Sequence, residues 1–224
     1  MKNTGFEQRG NRSQEQTWRE EWKVKTKNKL DFETCLNEAK AFHGEACAGT
    51  ILGTRMAIRG LSEIGITDPK GADRKSVIVY VEMDRCPADA ILAVTGCRPG
   101  KRAMKILDYG KMAATFVNLK TGKAVRISEI NKDGNKVMTR EEIEKSPRTE
   151  EFAMMPFEDI FEIREVRVDL KPENLPGKPL HIVTCEVCGE RIMDLREEQK
   201  DGKVLCRPCA AGRNYYTNLE EKRL

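Results

Sequence analysis

Apolar positions recur along this chain in two periods, and each period predicts a kind of element. From Phe32 the residues Phe32, Cys35, Leu36, Ala39 and Phe42 keep the spacing of one helix face, with Asp31 placed to cap its start. His43-Gly44 breaks that run, and a second helix is predicted over about residues 46–64, with Cys47 in its first turn. Gly49, Gly53, Ala57 and Gly60 form a line of small residues along it. Interior glycine costs about 1 kcal/mol against alanine, so the line predicts a second backbone crossing this helix closely. Ser76–Met83 reads as a buried strand. Residues 84–97 read as a short helix with Pro87 in its first turn and Gly96 as its stop. Lys111–Leu119 and Lys123–Ile130 predict a hairpin across Thr121-Gly122, Thr139–Ser146 a helix capped by Thr139, and Ile160–Leu170 a last strand. Residues 1–29 read as a polar arm, either a mobile tail or a marginal helix around Thr17–Lys25, where Trp18 and Trp22 fall four apart.

These elements predict an α+β fold in two parts. A mixed helix and antiparallel-sheet domain covers residues 30–170. A linker follows over 171–182, marked by Pro172, Pro176, Gly177 and Pro179. The last part, 183–224, is a small module of the zinc-ribbon or treble-clef kind.

Composition narrows the classes. The chain has 224 residues, enough for one good-sized core and a small module. Charged residues make up 34% and mean hydropathy is −0.60. No apolar run approaches the roughly 20 residues of a membrane span, and residues 1–29 hold no hydrophobic core of an export signal. A soluble, cytoplasmic protein is expected, in which eight cysteines serve metal or redox chemistry rather than disulfides. The net charge of +4 resides in residues 1–29, which carry eight Lys/Arg against four Asp/Glu; the remainder balances. Net charge thus gives no argument for a nucleic-acid face. Arg98-Pro-Gly-Lys-Arg102 is a basic turn, able to face an anion or simply solvated.

Cysteine spacing carries the strongest chemical signal. Cys185-x-x-Cys188 and Cys206-x-x-Cys209, 17 residues apart, form two knuckles that present four thiolates to one zinc ion. Gly189 follows the first knuckle, where the backbone often needs a positive φ. So short a module has little core, and zinc is expected to supply much of its folding energy. His181 stands just upstream, outside a ligand set that four cysteines complete.

A second candidate site lies in Phe42–Ile58, FHGEACAGTILGTRMAI. His43 precedes Cys47 by four residues, and a helix N-terminus favours a thiolate there. Cys86 opens the next predicted helix and Cys97 lies past its far end, roughly 16 Å away at 1.5 Å per residue. One ion cannot be bound by both, and Cys86 is the better companion of His43 and Cys47. Cys35 sits on an apolar stripe and reads as a buried, inert thiol.

The segments FHGEACAGTILGTRMA, VEMDRCPADAILAVTGCRPGK and DYGKMAATF resemble the FmdE family of formylmethanofuran dehydrogenase proteins, and the cysteine-rich end resembles the zinc-finger extension of many members. This chain carries Glu45 and Ala48 where the commoner motif, His-Gly-His-x-Cys-Pro-Gly, has histidine and proline. The resemblance implies a usually dimeric α+β domain whose His43, Cys47, Cys86 and Cys97 gather near a cavity, with Asp89 and Lys111 in flanking motifs. It also implies association with a molybdenum or tungsten oxidoreductase, although no molybdopterin or iron–sulfur sequence is present. A metal-binding accessory or delivery protein is the leading reading, with zinc at the C-terminus and a second zinc or other transition metal in the main domain. A Cys/His- or metal-dependent enzyme follows, with His43 and Cys47 as its catalytic candidates and Asp89 and Glu45 as candidate acid partners by sequence proximity alone. A zinc-ribbon regulator that binds nucleic acid is third.

Overall fold

The computed structural model describes residues 30–132, 134–145 and 149–217. The arm over residues 1–29, with Trp18 and Trp22, lies outside the described residues. The chain divides into two compact units, one ending at Val168 and one beginning at Asp169.

Asp31 caps the first helix as its sequence position predicts: its carboxylate accepts the Thr34 N–H at 3.0 Å, and α1 runs Phe32–His43. Helix α2 spans Ala48–Glu63, strand β1 Val77–Val81 and helix α3 Cys86–Thr95. A three-residue strand, β2 (Met104–Ile106), pairs parallel with β1, so β1, α3 and β2 make one crossover unit. Strands β3 (Ala113–Asn118) and β4 (Ala124–Glu129) form the predicted hairpin. Short helices α4 (Arg140–Glu144), α5 (Thr149–Met154) and α6 (Phe157–Ile160) lead to β5, Phe161–Glu165. The last strand ends at Glu165, short of the predicted Leu170, because its partner runs out: β4 begins at Ala124, whose carbonyl accepts the Val166 N–H. The sheet order is β2-β1-β3-β4-β5, with β1/β2 parallel and the other pairs antiparallel.

The alternation of the strands builds the core. Val77, Val79, Val81, Phe116, Val125 and Ile127 point from one sheet face into the apolar sides of the helices, meeting Met56, Ile58, Leu61 and Ile91, all fully buried. The line of small residues in α2 has two partners. A Cβ on Gly60 would lie 2.3 Å from the Phe116 ring, and one on Gly53 would lie 2.6 Å from the Pro87 carbonyl. The predicted close crossing is therefore made by the first turn of α3. The opposite sheet face is more polar, and there Arg126 grips both carboxylate oxygens of Glu82 at 2.7 and 2.8 Å.

In the second unit, β6 (Ile182–Thr184) pairs antiparallel with β7 (Arg191–Met193), and β8 (Glu197–Lys200) with β9 (Lys203–Cys206). Helix α7, Arg207–Ala211, follows directly, so the second knuckle passes from strand into helix. The stretch 171–182 belongs to this unit: Asn174 accepts from Arg196, and the Leu180 N–H donates to Asp194 at 3.1 Å. The buried apolar cluster is small, made of Cys185, Ile192, Leu205 and Ala210.

Candidate metal centre

The end of one helix and the starts of two others converge in the main unit. Helix α1 ends at His43 because Gly44 adopts φ 101°, in the left-handed region, and returns its N–H to the Lys40 carbonyl. Cys47 then takes an extended conformation and caps α2. Its Sγ accepts the Thr50 N–H at 3.4 Å, while Thr50 Oγ1 accepts the Cys47 N–H at 2.9 Å. Cys47 is thus the cap itself, one residue outside the predicted first turn, and holds a place that serine or aspartate commonly fills. Cys86 begins α3, a few residues beyond the carboxyl end of β1. A Cβ on Gly49 would lie 2.8 Å from Cys86 Cβ and 3.6 Å from Cys47 Sγ. Small residues on α2 therefore let the two cysteines approach.

The result is a group of one imidazole and two thiols, all half-buried, with ligand atoms within 4.8 Å of one another: His43, Cys47 and Cys86. Cys47 Sγ is 4.0 Å from His43 Nε2. Asp89, one turn into α3, places Oδ2 2.8 Å from His43 Nδ1. A proton on Nδ1 satisfies that contact and leaves Nε2 as the donor atom facing the sulfurs. The same hydrogen bond, working against burial, raises the His43 pKa. At Cys47 burial pushes the thiol up, but hydrogen bonds from the Thr50 N–H, the Thr50 hydroxyl and the Cys86 thiol outweigh it, and the pKa falls below its usual value. Cys86 moves the other way, raised by burial and by the neighbouring Cys47. Without an ion, Cys47 is the more readily deprotonated thiol of the pair.

The donor set fits a borderline-soft ion. Tetrahedral zinc, with bonds of about 2.3 Å to sulfur and about 2.0–2.1 Å to nitrogen, holds its ligand atoms roughly 3.6–3.8 Å apart. The 4.0 Å between Cys47 and His43 comes within about half an ångström of that. Three protein ligands leave a fourth position for water or another molecule.

Cys97 is not in this group, which corrects the expectation drawn from the resemblance. Helix α3 is intact, so Cys97 lies beyond its opposite end. It is buried, its Sγ donates to the Val77 carbonyl at 3.7 Å, and burial pushes its thiol up to about 11. Cys35 is likewise buried, with its thiol pushed to about 11 chiefly by burial. The Lys111 ammonium lies 5.8 Å from the Tyr109 ring centroid. Sequence reasoning missed Thr50, although Cys-x-x-Thr before an apolar run carries the local signature of a reciprocal cap. It offered Asp89 as a flanking residue and, beside Glu45, as a candidate acid partner by sequence proximity alone; of the two, the structure places Asp89 on His43.

Cys185, Cys188, Cys206 and Cys209 come together in the second unit with sulfurs within 4.8 Å of one another. Gly189 has φ 76°, as the knuckle requires. The Cys188 and Cys206 backbone N–H groups lower the Cys185 thiol to about 6, whereas Cys206 and burial drive Cys209 up to about 12. Four sulfurs suit a closed tetrahedral site. His181 is outside it, with Nε2 2.9 Å from Glu197 Oε1.

Comparison with known proteins matches both units. The family model described as "FmdE, Molybdenum formylmethanofuran dehydrogenase operon" matches residues 42–171. That of the prokaryotic dksA/traR C4-type zinc finger matches residues 178–215. A curated relative, the probable S-adenosyl-L-methionine-binding protein of Archaeoglobus fulgidus, is 32% identical over 202 residues, 81% of this chain. The chain spans about half of that relative, 53% of its length. Among solved structures, a tungsten formylmethanofuran dehydrogenase FmdE-like protein from Syntrophus aciditrophicus superposes with a TM-score of 0.53. The two are 27% identical, over 83% of this chain and 95% of that one. With more than half of its length matched, including His43, Cys47 and Cys86, this chain belongs to the FmdE family and carries a C4-type zinc finger at its C-terminal end.

Proposed function

We propose that this protein is a metal-handling accessory of a molybdenum or tungsten oxidoreductase of the formylmethanofuran type, acting in the cytoplasm as a homodimer. The observation that carries the reading is the convergence of His43, Cys47 and Cys86 as three donors with a fourth position left over. A closed set of four ligands suits structure, whereas three leave a position open to an incoming ligand such as water, substrate or a donor from a partner. His43 and the two thiolates would hold the ion, and a bound zinc or similar ion would supply Lewis acidity at the open position. Asp89 orients the imidazole, Thr50 holds the Cys47 sulfur, and the half-buried setting leaves the sulfurs accessible. The names of the matched family and of the superposed protein support the partner class. Among the described residues no helix is long and apolar enough to cross a membrane.

The experiment is chelator competition on the fully loaded protein. A fast-exchanging metal, absent from Cys47→Ala, beside a slow one held by the zinc finger is the expected result. A single slow phase in both proteins would remove the delivery role.

A second reading has its own observation. Asp89, His43 and Cys47 stand in line, with the Cys47 pKa lowered, which is the arrangement of an activated thiol nucleophile. An enzyme of this kind would keep its activity after complete metal removal, and the accessory protein would have none to keep.

A further inference from the structure

A cleft of about 740 Å³ opens in the main unit beside α1 and α3. That volume is typical of small-molecule sites, which run from roughly 300 to 1,000 Å³. Five cations line it, Lys70, Arg74, Lys75, Arg98 and Lys101, against one carboxylate, Glu38, which pairs with Lys70. The side chains of Arg74, Lys75, Arg98 and Lys101 have no ion-pair or hydrogen-bond partner among the described residues. Over residues 30–182 the charges otherwise balance, with 24 Lys/Arg and 24 Asp/Glu, so the lining is a local concentration of one sign. Two segments deliver it. One is the loop after α2. The other is the basic turn after α3, where Gly96 at φ 68° stops the helix and Pro99–Lys101 forms a single 3₁₀ turn. The C-terminal end of α3 carries about half an elementary negative charge, so neutralising that helix end accounts for one cation at most.

The cleft has an apolar flank as well. Phe42 is 53% exposed, and it lines the cleft together with Leu92 and Pro69. We propose that this cleft binds a small molecule that joins a phosphate group to a flat apolar ring, as a nucleoside diphosphate does. Arginine and lysine around a concavity recognise phosphate by charge-assisted hydrogen bonds, and an exposed phenyl ring offers a stacking face. A concave site of this size fits a compact ligand better than the extended backbone of a nucleic acid. Asp89 lies on the same stripe of α3 as Leu92, Ala93 and Gly96. A ligand in the cleft therefore sits about one helical turn, roughly 5 Å along the axis, from the carboxylate that orients His43. The inference does not rest on metal handling at that site.

The test is isothermal titration of the full chain with ADP, pyrophosphate, adenosine and a short DNA duplex at low salt. The expected result is one ADP per chain, bound about tenfold more tightly than pyrophosphate or adenosine and weakened by added salt. Arg98→Ala/Lys101→Ala should weaken ADP about tenfold or more at unchanged thermal stability. Phe42→Ala should weaken ADP but not pyrophosphate, and Lys123→Ala/Lys132→Ala, on exposed positions away from the cleft, should change nothing. Pyrophosphate binding as tight as ADP would overturn the proposal in favour of a plain anion site. Tighter binding of the duplex through the same residues would overturn it in favour of nucleic acid. Absence of ADP binding, or binding indifferent to Arg98 and Lys101, would dispose of it altogether.

Discussion

The two cysteine groups of this chain are built in opposite ways. The C-terminal group draws four sulfurs from two tight knuckles within 25 residues, Cys185 to Cys209, around a core of four buried residues. The group in the main unit draws two sulfurs and one nitrogen from the ends of three helices, and those helices are seated by a core that exists without it. An ion in the first would be the framework of its fold. An ion in the second would be a guest on a finished scaffold. Charge separates them too: Zn²⁺ with four thiolates carries two negative charges, whereas Zn²⁺ with two thiolates and a neutral imidazole carries none and leaves room for a fourth ligand. The chain thus combines a four-cysteine group suited to a closed structural site with a three-donor group that leaves a fourth position open.

The largest effect that would break this comparison comes from the C-terminal group. Structural zinc contributes about 10–16 kcal/mol in isolated fingers, far more than a four-residue core can replace. Cys206→Ser should therefore leave the backbone amides of β6 to β9 unprotected in hydrogen exchange while those of β3 stay protected. Protection retained in β6 to β9 would show that the module folds without its ion.

Next in size is the seating of α3. Gly53→Val places side-chain atoms where a Cβ alone would already be 2.6 Å from the Pro87 carbonyl. A loss of about 3 kcal/mol is expected in denaturant unfolding of the main unit, with the main-unit metal lost as Cys86 is pushed from Cys47. A mutant of normal stability would mean that α2 and α3 are not so closely packed.

Asp89→Asn tests the orientation of His43. Removing a carboxylate that holds a metal-binding imidazole typically costs about 10–100-fold in affinity, so chelator titration should show that loss in the main unit and none in the zinc finger. The same mutant has a pH signature in metal-free protein. Because Asp89 raises the His43 pKa above its unfolded value, its contribution to stability is complete below the unfolded pKa and is lost as pH rises through the folded one. Wild type and Asp89→Asn should differ more at about pH 6 than at about pH 9 in thermal unfolding. The opposite trend would refute the assignment.

The smallest effects distinguish the cysteines. Cys97→Ala should cost about 1 kcal/mol of stability and no metal, since the thiol is buried at the other end of α3. In metal-free protein, mild alkylation near pH 8 should modify Cys47 before Cys86, following the lowered and raised pKa values of the two thiols. Peptide mapping would read both.

What the sequence discloses follows the range of the interactions. Asp31, Gly44, Gly96 and the Cys-x-x-Cys pairs act within four residues of themselves, so caps, helix ends and knuckles are legible. The line of small residues in α2 announces a close crossing, and helix length alone separates Cys86 from Cys97. Strand β2 is not legible because three residues carry no periodic signal, and its pairing depends on β1 across α3. The His43–Asp89 contact joins residues 46 apart, and nothing local in either segment points to the other. The cleft cations likewise come from separate loops and meet only in the fold.

The most direct test of the comparison is metal content by mass spectrometry on untagged protein, wild type beside Cys47→Ala and Cys206→Ser. The account predicts about two metal equivalents per chain in wild type and about one in each mutant, with zinc as the ion that remains in Cys47→Ala. A single equivalent in both wild type and Cys47→Ala would contradict a metal centre at His43, Cys47 and Cys86.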